Sequence, residues 1–193
     1  MPTVADDPAK LGGLEGDVAY LRSVLDEIGG DVVLVGHSSG GIAAAKLADH
    51  PAVMRSVYVA AFLIPPGMSL SDLLANVPPM DWQVPRDDGA IAITDDIDVA
   101  HRSIAHDIDR DEFARYFNRF GLQAEAVLSA PVSAPSHPQR PVYVVCTEDR
   151  IIPVEAQKQM AAQVDAAVEY LSSSHCPMMS MPGQLAEVLA RSV

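Results

Sequence analysis

Five residues, Gly36-His37-Ser38-Ser39-Gly40, join the apolar run Val32 to Val35 to the helix-like stretch Gly41 to Asp49. A strand that becomes a helix within so few residues needs a sharp bend. The residues two before and two after the centre of that bend must be small where backbones crowd, and Gly36 and Gly40 meet that need. The pattern presents Ser38 as a nucleophile on a strained turn; the plainer reading is a glycine-rich turn without chemistry.

A serine hydroxyl is a weak nucleophile at neutral pH, so Ser38 calls for a histidine base and a carboxylate to orient it. The β-branched run Arg140 to Cys146 reads as a buried parallel strand and ends in Thr147-Glu148-Asp149-Arg150. A carboxylate just past the carboxyl end of such a strand sits on the ligand side of an open sheet. Asp149 is the first choice for the acid, with Glu148 as the alternative and a solvated acidic turn as the reading without function. The short strand Val168 to Leu171 leads into Ser172-Ser173-Ser174-His175-Cys176-Pro177, which puts His175 in a loop at a third strand end. Serine, acid and histidine thus follow one another in the order of one known triad arrangement.

Between these points, elements alternate. Leu14, Val18, Leu21, Val24, Leu25 and Ile28 form an apolar stripe at helical spacing, stopped by Gly29-Gly30. After the nucleophile strand come a helix from about 40 to 49 ended at His50-Pro51, a strand from Ser56 to Leu63, a helix over 154–165 and a last helical pattern from Pro182 to Val193. Such alternation predicts an α/β fold with a mainly parallel sheet of about four strands and flanking helices.

These segments resemble the α/β-hydrolase superfamily, and within it the small bacterial esterases related to plant methylesterases and hydroxynitrile lyases. The matching stretches are Val32 to Gly41, Ser56 to Phe62 with its Pro65-Pro66-Gly67 exit, Val144 to Pro153, and Ser174 to Ser180. The resemblance implies a single shortened α/β-hydrolase domain, with core 11–65 and 139–193 and a helical cap over about 66–138. It implies an acyl-enzyme mechanism on carboxylic esters, in which Ser38 attacks, His175 moves the proton and Asp149 holds the imidazole. No cofactor or metal is implied. Alternatives are a catalytically impaired or noncatalytic hydrolase-like protein or fragment, and acyltransferase or hydroxynitrile lyase activity. The last is associated with a lysine where this chain has Cys176.

Family members usually open with a strand, a His-Gly loop, a helix and another strand before the segment equivalent to Leu11 to Ile28. Here 37 residues precede Ser38, and 1–10 read as a loop. That loop normally donates one of the two N–H groups that hold the oxyanion, the other coming from the residue after the nucleophile, Ser39. The expectation is therefore a half-built oxyanion hole, with Gly12-Gly13 as a weak substitute, in either a natively short chain or a truncation. The nucleophile strand would then be a sheet edge open to homodimerisation.

Within 66–138, three stretches look helical: 98–106, 111–120 and 122–128. Their apolar residues either line the pocket or pack the cap onto the sheet. Pocket candidates over the whole chain are His37, Phe62, Met68, Trp82, Cys176 and Met178, serving a small or medium apolar ester. His101 and His106 are five apart, which does not suit a metal pair on one helix face. The acidic stretch from Asp95 to Glu112 lacks the glycine and terminal glutamate of a calcium loop and reads as solvated surface. A formal net charge of −13, from 26 acidic and 13 basic side chains, argues against nucleic acid and anionic membranes as partners. With no ~20-residue apolar run and no basic, apolar start, the chain reads as cytoplasmic. Two cysteines, Cys146 and Cys176, read as free thiols.

Overall fold

The apolar runs pair side by side in a computed structural model that describes residues 1–192; Val193, the end of the expected last helix, lies outside the described residues. In chain order the elements are β1 (Val4–Ala5), α1 (Leu14–Ile28), β2 (Val32–His37), α2 (Gly40–Lys46), β3 (Val53–Val59) and α3 (Leu70–Leu73). Next come β4 (Gln83–Pro85), β5 (Ala90–Ile93), α4 (Ile97–Ile104), α5 (Arg110–Phe117), β6 (Leu122–Ala124) and α6 (Ala126–Ser129). The chain closes with β7 (Val142–Cys146), α7 (Val154–Gln163), β8 (Ala167–Leu171), α8 (Pro177–Ser180) and α9 (Pro182–Arg191).

Four strands form a parallel sheet in the order β2-β3-β7-β8. Its two faces are covered differently because side chains alternate along each strand. Tyr58, Tyr143 and Val145 point into the larger core with Leu14, Val18 and Leu25 of α1 and Ile42 and Ala43 of α2. Val57, Val59, Val142 and Val144 face the other way and pack on Leu185 and Val188 of α9. Each buried aliphatic side chain contributes roughly 1.5–3 kcal/mol of burial free energy, so both faces hold the sheet. Ile28, read as part of the α1 stripe, is 56% exposed, because Gly29 turns the chain away in a left-handed C-cap.

The strand expected at 56–63 runs instead from Val53 to Val59. Ala60 takes a positive φ of 40°, which ends it, and residues 60–64 continue as a buried loop. The Tyr143 hydroxyl fixes that loop, donating to Ala61 O at 2.6 Å and accepting from Ala61 N–H at 3.1 Å.

The largest departure from expectation lies in 66–138. The helices at 98–106 and 111–120 correspond to α4 and α5, but 122–128 is not one helix: it divides into β6 and the short α6. β6 joins a second, antiparallel sheet in the order β1-β6-β5-β4. The segment is therefore not purely helical. Good helix formers at 122–128 are overruled by backbone pairing on both sides of β6, to Val4 and Ala5 of β1 and to Ala90 and Ile91 of β5. Residues 1–10, read as a loop, thus contribute a strand to this sheet. Thr3 is also tied to α1, where its N–H reaches Asp17 Oδ1 at 2.9 Å and its hydroxyl reaches Oδ2.

Among the described residues no helix is long and apolar enough to cross a membrane.

Candidate active site

Ser38 occupies the bend between β2 and α2 with φ of 52°, the left-handed region that a non-glycine residue adopts at a cost. The bend is bound to the loop after β3, because Ser38 N–H donates to Val59 O at 3.3 Å and Phe62 N–H donates to Ser38 O at 3.0 Å. Crowding explains two glycines here, and one is not the one expected. A Cβ on Gly36 would lie 2.8 Å from Gly41 Cα, and a Cβ on Gly41 would lie 2.8 Å from both Ala61 Cβ and Phe62 O. Gly40 faces open space. The small residue required after the bend is Gly41, three places on from Ser38.

Asp149 lies in the turn after β7, its side chain fully buried. Oδ1 accepts the N–H groups of Ile151 at 2.7 Å and Ile152 at 3.0 Å. Oδ2 accepts from Gln157 Nε2 at 3.2 Å and faces His175 Nδ1 at 2.9 Å. Glu148, the alternative acid, meets the histidine loop only through its backbone, which donates to Ser173 O. His175 is 4% exposed, and among the described residues its Nε2 has no hydrogen-bond partner. Ser38 and His175 line one cavity of about 380 Å³, together with His37, Ser39, Trp82, Cys176 and others. Ser38 Oγ makes no hydrogen bond to His175 in this structure, a separation common before substrate aligns the groups.

His37 packs at a tilt of 48° against His175 with ring centroids 4.7 Å apart, and its Nε2 donates to His175 O at 2.8 Å. Packed protein around a ring that still touches the cavity pushes its pKa down from 6.5 to about 3; burial is the main cause and the neighbouring His175 adds to it. His37 is thus a neutral brace for the histidine loop. Burial, with Asp149 and Asp107 nearby, lifts the Cys176 thiol to about 12, and Cys146 is likewise driven upward by burial, so neither free cysteine is a thiolate.

Two residues outside the expected set hold the site. Gln157, fully buried on α7, accepts the Cys146 N–H at 3.0 Å and donates to Cys146 O, Ile152 O and Asp149. One glutamine in an amphipathic helix carries no signal in type or spacing that would single it out. Asp107, read as solvated surface, accepts Ser174 N–H at 2.9 Å, and its neighbour His106 donates from Nε2 to Glu148 O at 2.9 Å. Burial works to raise the Asp107 pKa, but hydrogen bonding, chiefly from Ser174, outweighs it and keeps the carboxyl below its ordinary value. The loop between α4 and α5 therefore grips the acid loop and the histidine loop together. His101 bonds Ile108 O instead.

Of the pocket candidates, His37, Trp82 and Cys176 line the Ser38 cavity. Phe62 lines a narrow space of about 50 Å³ shared with Ser38, Trp82, Met80 and Ile151, and also an apolar chamber of about 350 Å³. Met68 and Met178 require correction. Met68 packs against the main core, and Met178 on α8 is 39% exposed; neither borders these cavities. A further concavity, about 460 Å³ beside α2 and the end of α7, contains none of Ser38, Asp149 or His175.

A profile of the alpha/beta hydrolase family matches residues 3–188. This chain belongs to the α/β hydrolase family. It is 29% identical over 199 residues to the "Alpha/beta hydrolase nvfD" of Aspergillus novofumigatus, covering 94% of this chain and 78% of that protein. It is 28% identical over 201 residues to the pyrethroid hydrolase of Sphingobium wenxiniae, covering 89% of this chain and 68% of that one. A crystal structure of a pyrethroid hydrolase superposes with a TM-score of 0.81 at 20% identity, covering 99% of this chain and 82% of the other, a likeness of fold. In α/β hydrolases the nucleophile bend, the acid turn and the histidine loop all lie at the carboxyl ends of the strands, as Ser38, Asp149 and His175 do here after β2, β7 and β8.

Proposed function

We propose that this α/β hydrolase is a serine esterase that cleaves apolar carboxylic esters through an acyl-enzyme. The observation that carries the reading is the pairing of Asp149 Oδ2 with His175 Nδ1, which leaves Nε2 unpaired in a cavity that Ser38 also lines. With its proton on Nδ1, the imidazole has a basic nitrogen toward the serine. In this mechanism the Ser38 side chain, which shares the cavity, turns its Oγ toward Nε2. As Oγ bonds to the ester carbon, its proton passes to Nε2 and the carbonyl π pair moves onto oxygen. When the carbonyl re-forms, the alcohol leaves with that proton. Water repeats the sequence and frees the acid. Ser39 N–H, which has no acceptor among the described residues, is the backbone donor to the oxyanion.

The substrate reading follows from the walls. Trp82, Ile91, Ile93, Ile104 and Ile151 line the Ser38 cavity, and the adjoining chamber is bounded by Phe62, Leu73, Leu74 and Met80, so 66–138 acts as the cap that selects an apolar group. Similarity to a relative named as a pyrethroid hydrolase supports hydrolysis as the chemistry.

The test is labelling of the purified chain with a fluorophosphonate, read by intact mass, beside p-nitrophenyl acetate turnover and a Ser38→Ala control. Labelling and turnover that both disappear in the variant are the expected result. A folded protein that shows neither overturns the proposal.

A further inference from the structure

The Ser38 cavity contains a polar side chain that the triad leaves unused. Gln123 is the middle residue of β6, paired on one side with Val4 and on the other with Ile91. With both neighbours fixed in register, its partly buried side chain crosses to the nucleophile loop, where Nε2 donates to Ser39 Oγ at 2.9 Å. A primary amide nitrogen carries two hydrogens. Ser39 takes one, and the other has no acceptor among the described residues. Gln123 borders both the 380 Å³ cavity and the narrow space beside it, as Ser38 and Ser39 do.

An ester carbonyl under attack by Ser38 gains a full negative charge on oxygen, and each preorganised donor aimed at that oxygen stabilises it. The Gly12-Gly13 pair, weighed on sequence as a substitute, does not supply one. Gly12 N–H is engaged by Pro2 O, and neither glycine lines the cavity. Arg119 and Gln83 also border the cavity, but neither side chain is hydrogen-bonded to the nucleophile loop. Among the described residues Gln123 is the one side-chain donor that is both anchored to Ser39 and equipped with a spare hydrogen.

We propose that the Gln123 side-chain amide is the second oxyanion donor, acting with Ser39 N–H, and that the Ser39 hydroxyl serves to hold the amide in place. The assignment rests on the serine-esterase reading of the same cavity. No proton is transferred to or from Gln123. The carbonyl π pair moves onto oxygen as the Ser38 Oγ–carbon bond forms, the serine proton goes to His175 Nε2, and the amide only donates a hydrogen bond that strengthens as charge builds. It returns to a weaker contact when the carbonyl re-forms and the alcohol departs with the proton from His175.

The experiment compares wild type with Gln123→Met and Gln123→Glu in the full chain, measuring kcat and KM on p-nitrophenyl acetate. Inhibition by an aryl trifluoromethyl ketone, which forms an anionic hemiketal with a serine, is measured beside them. A donor that acts in the transition state predicts a fall in kcat of roughly 100- to 1000-fold in Gln123→Met, with KM changed by less than about threefold. Ketone affinity should fall in parallel with kcat/KM, which a purely structural role of β6 would not produce. Gln123→Glu keeps the size of the side chain and lacks the donor, so its kcat falls at least as far even where methionine loosens the strand. Wild-type turnover with kcat retained in Gln123→Glu, or ketone affinity unmoved, overturns the assignment of Gln123 alone. Absence of both fluorophosphonate labelling and turnover in wild type overturns the esterase reading and this one with it.

Discussion

Replacing Gln157 by leucine tests whether the acid turn is held by polar satisfaction or by packing alone. Leucine is close in volume and keeps the contacts of a fully buried position, so the loss is confined to hydrogen bonds. Two of those losses have no replacement. Cys146 N–H loses Gln157 Oε1, and Ile152 O loses Nε2, and neither group has another partner among the described residues. Cys146 O keeps Asp149 N–H at 3.4 Å, and Asp149 Oδ2 keeps His175. A buried orphaned group costs about 1–3 kcal/mol, so two give roughly 2–6 kcal/mol of lost stability. For a chain of this size the midpoint of thermal unfolding falls by about 2–4 °C per kcal/mol, hence on the order of 10 °C in the middle of that range. Urea denaturation followed by far-UV circular dichroism measures the free energy directly. A loss below about 1 kcal/mol would refute the reasoning, since it would mean that the turn re-satisfies both groups without the glutamine.

Alanine at Gly41 places a Cβ 2.8 Å from Ala61 Cβ and Phe62 O and is expected to destabilise by about 1–3 kcal/mol, whereas alanine at Gly40 meets open space and leaves stability within about 1 kcal/mol; paired urea melts decide. Because folded His37 takes a proton only near pH 3 and the unfolded residue does so at 6.5, the unfolded state binds more protons between those values. Stability contributed by neutral His37 is therefore complete above pH 6.5 and declines as pH falls toward 3, and His37→Gln should flatten that part of a stability-pH curve. We propose self-association through β2, which ends the parallel sheet and carries Val35 at 43% exposure; sedimentation velocity should show a dimer that Val35→Lys weakens, and a monomer at every concentration tested would remove the idea.

How far the sequence discloses this molecule depends on whether a feature is local. The bend at Ser38 is legible because strand, turn and helix lie within one short stretch, and the meeting of Asp149 with His175 is legible because each stands in a loop just past the end of an apolar strand. Asp149 is separated from Glu148 only by the direction each side chain takes, which the buried N–H groups of Ile151 and Ile152 decide. The hairpin of β4 and β5 carried a usable signal in Asp88-Gly89, where Gly89 has φ of 77°, but it lay between segments of weak periodicity. β6 was hidden because its partners are remote: Val4 is 119 positions from Gln123 in the register that pairs them. Asp107 and Gln123 share that character, since each acquires its role from a contact made across the fold, to Ser174 and to Ser39; Gln157 bonds residues close to it in the chain, and was hidden because its residue type and spacing carry no signal.

The pairing of β1 with β6 spans only Val4↔Gln123 and Ala5↔Leu122. A ladder this short opens at the low end of the local-stability scale, well before the parallel sheet does. Its opening releases β1, whose Val4 lines the serine cavity, so amide exchange at residues 3–5 and access to the site should share one equilibrium. Anything fused to or trimmed from the first residues would act on turnover from a distance, through the frequency with which β1 detaches.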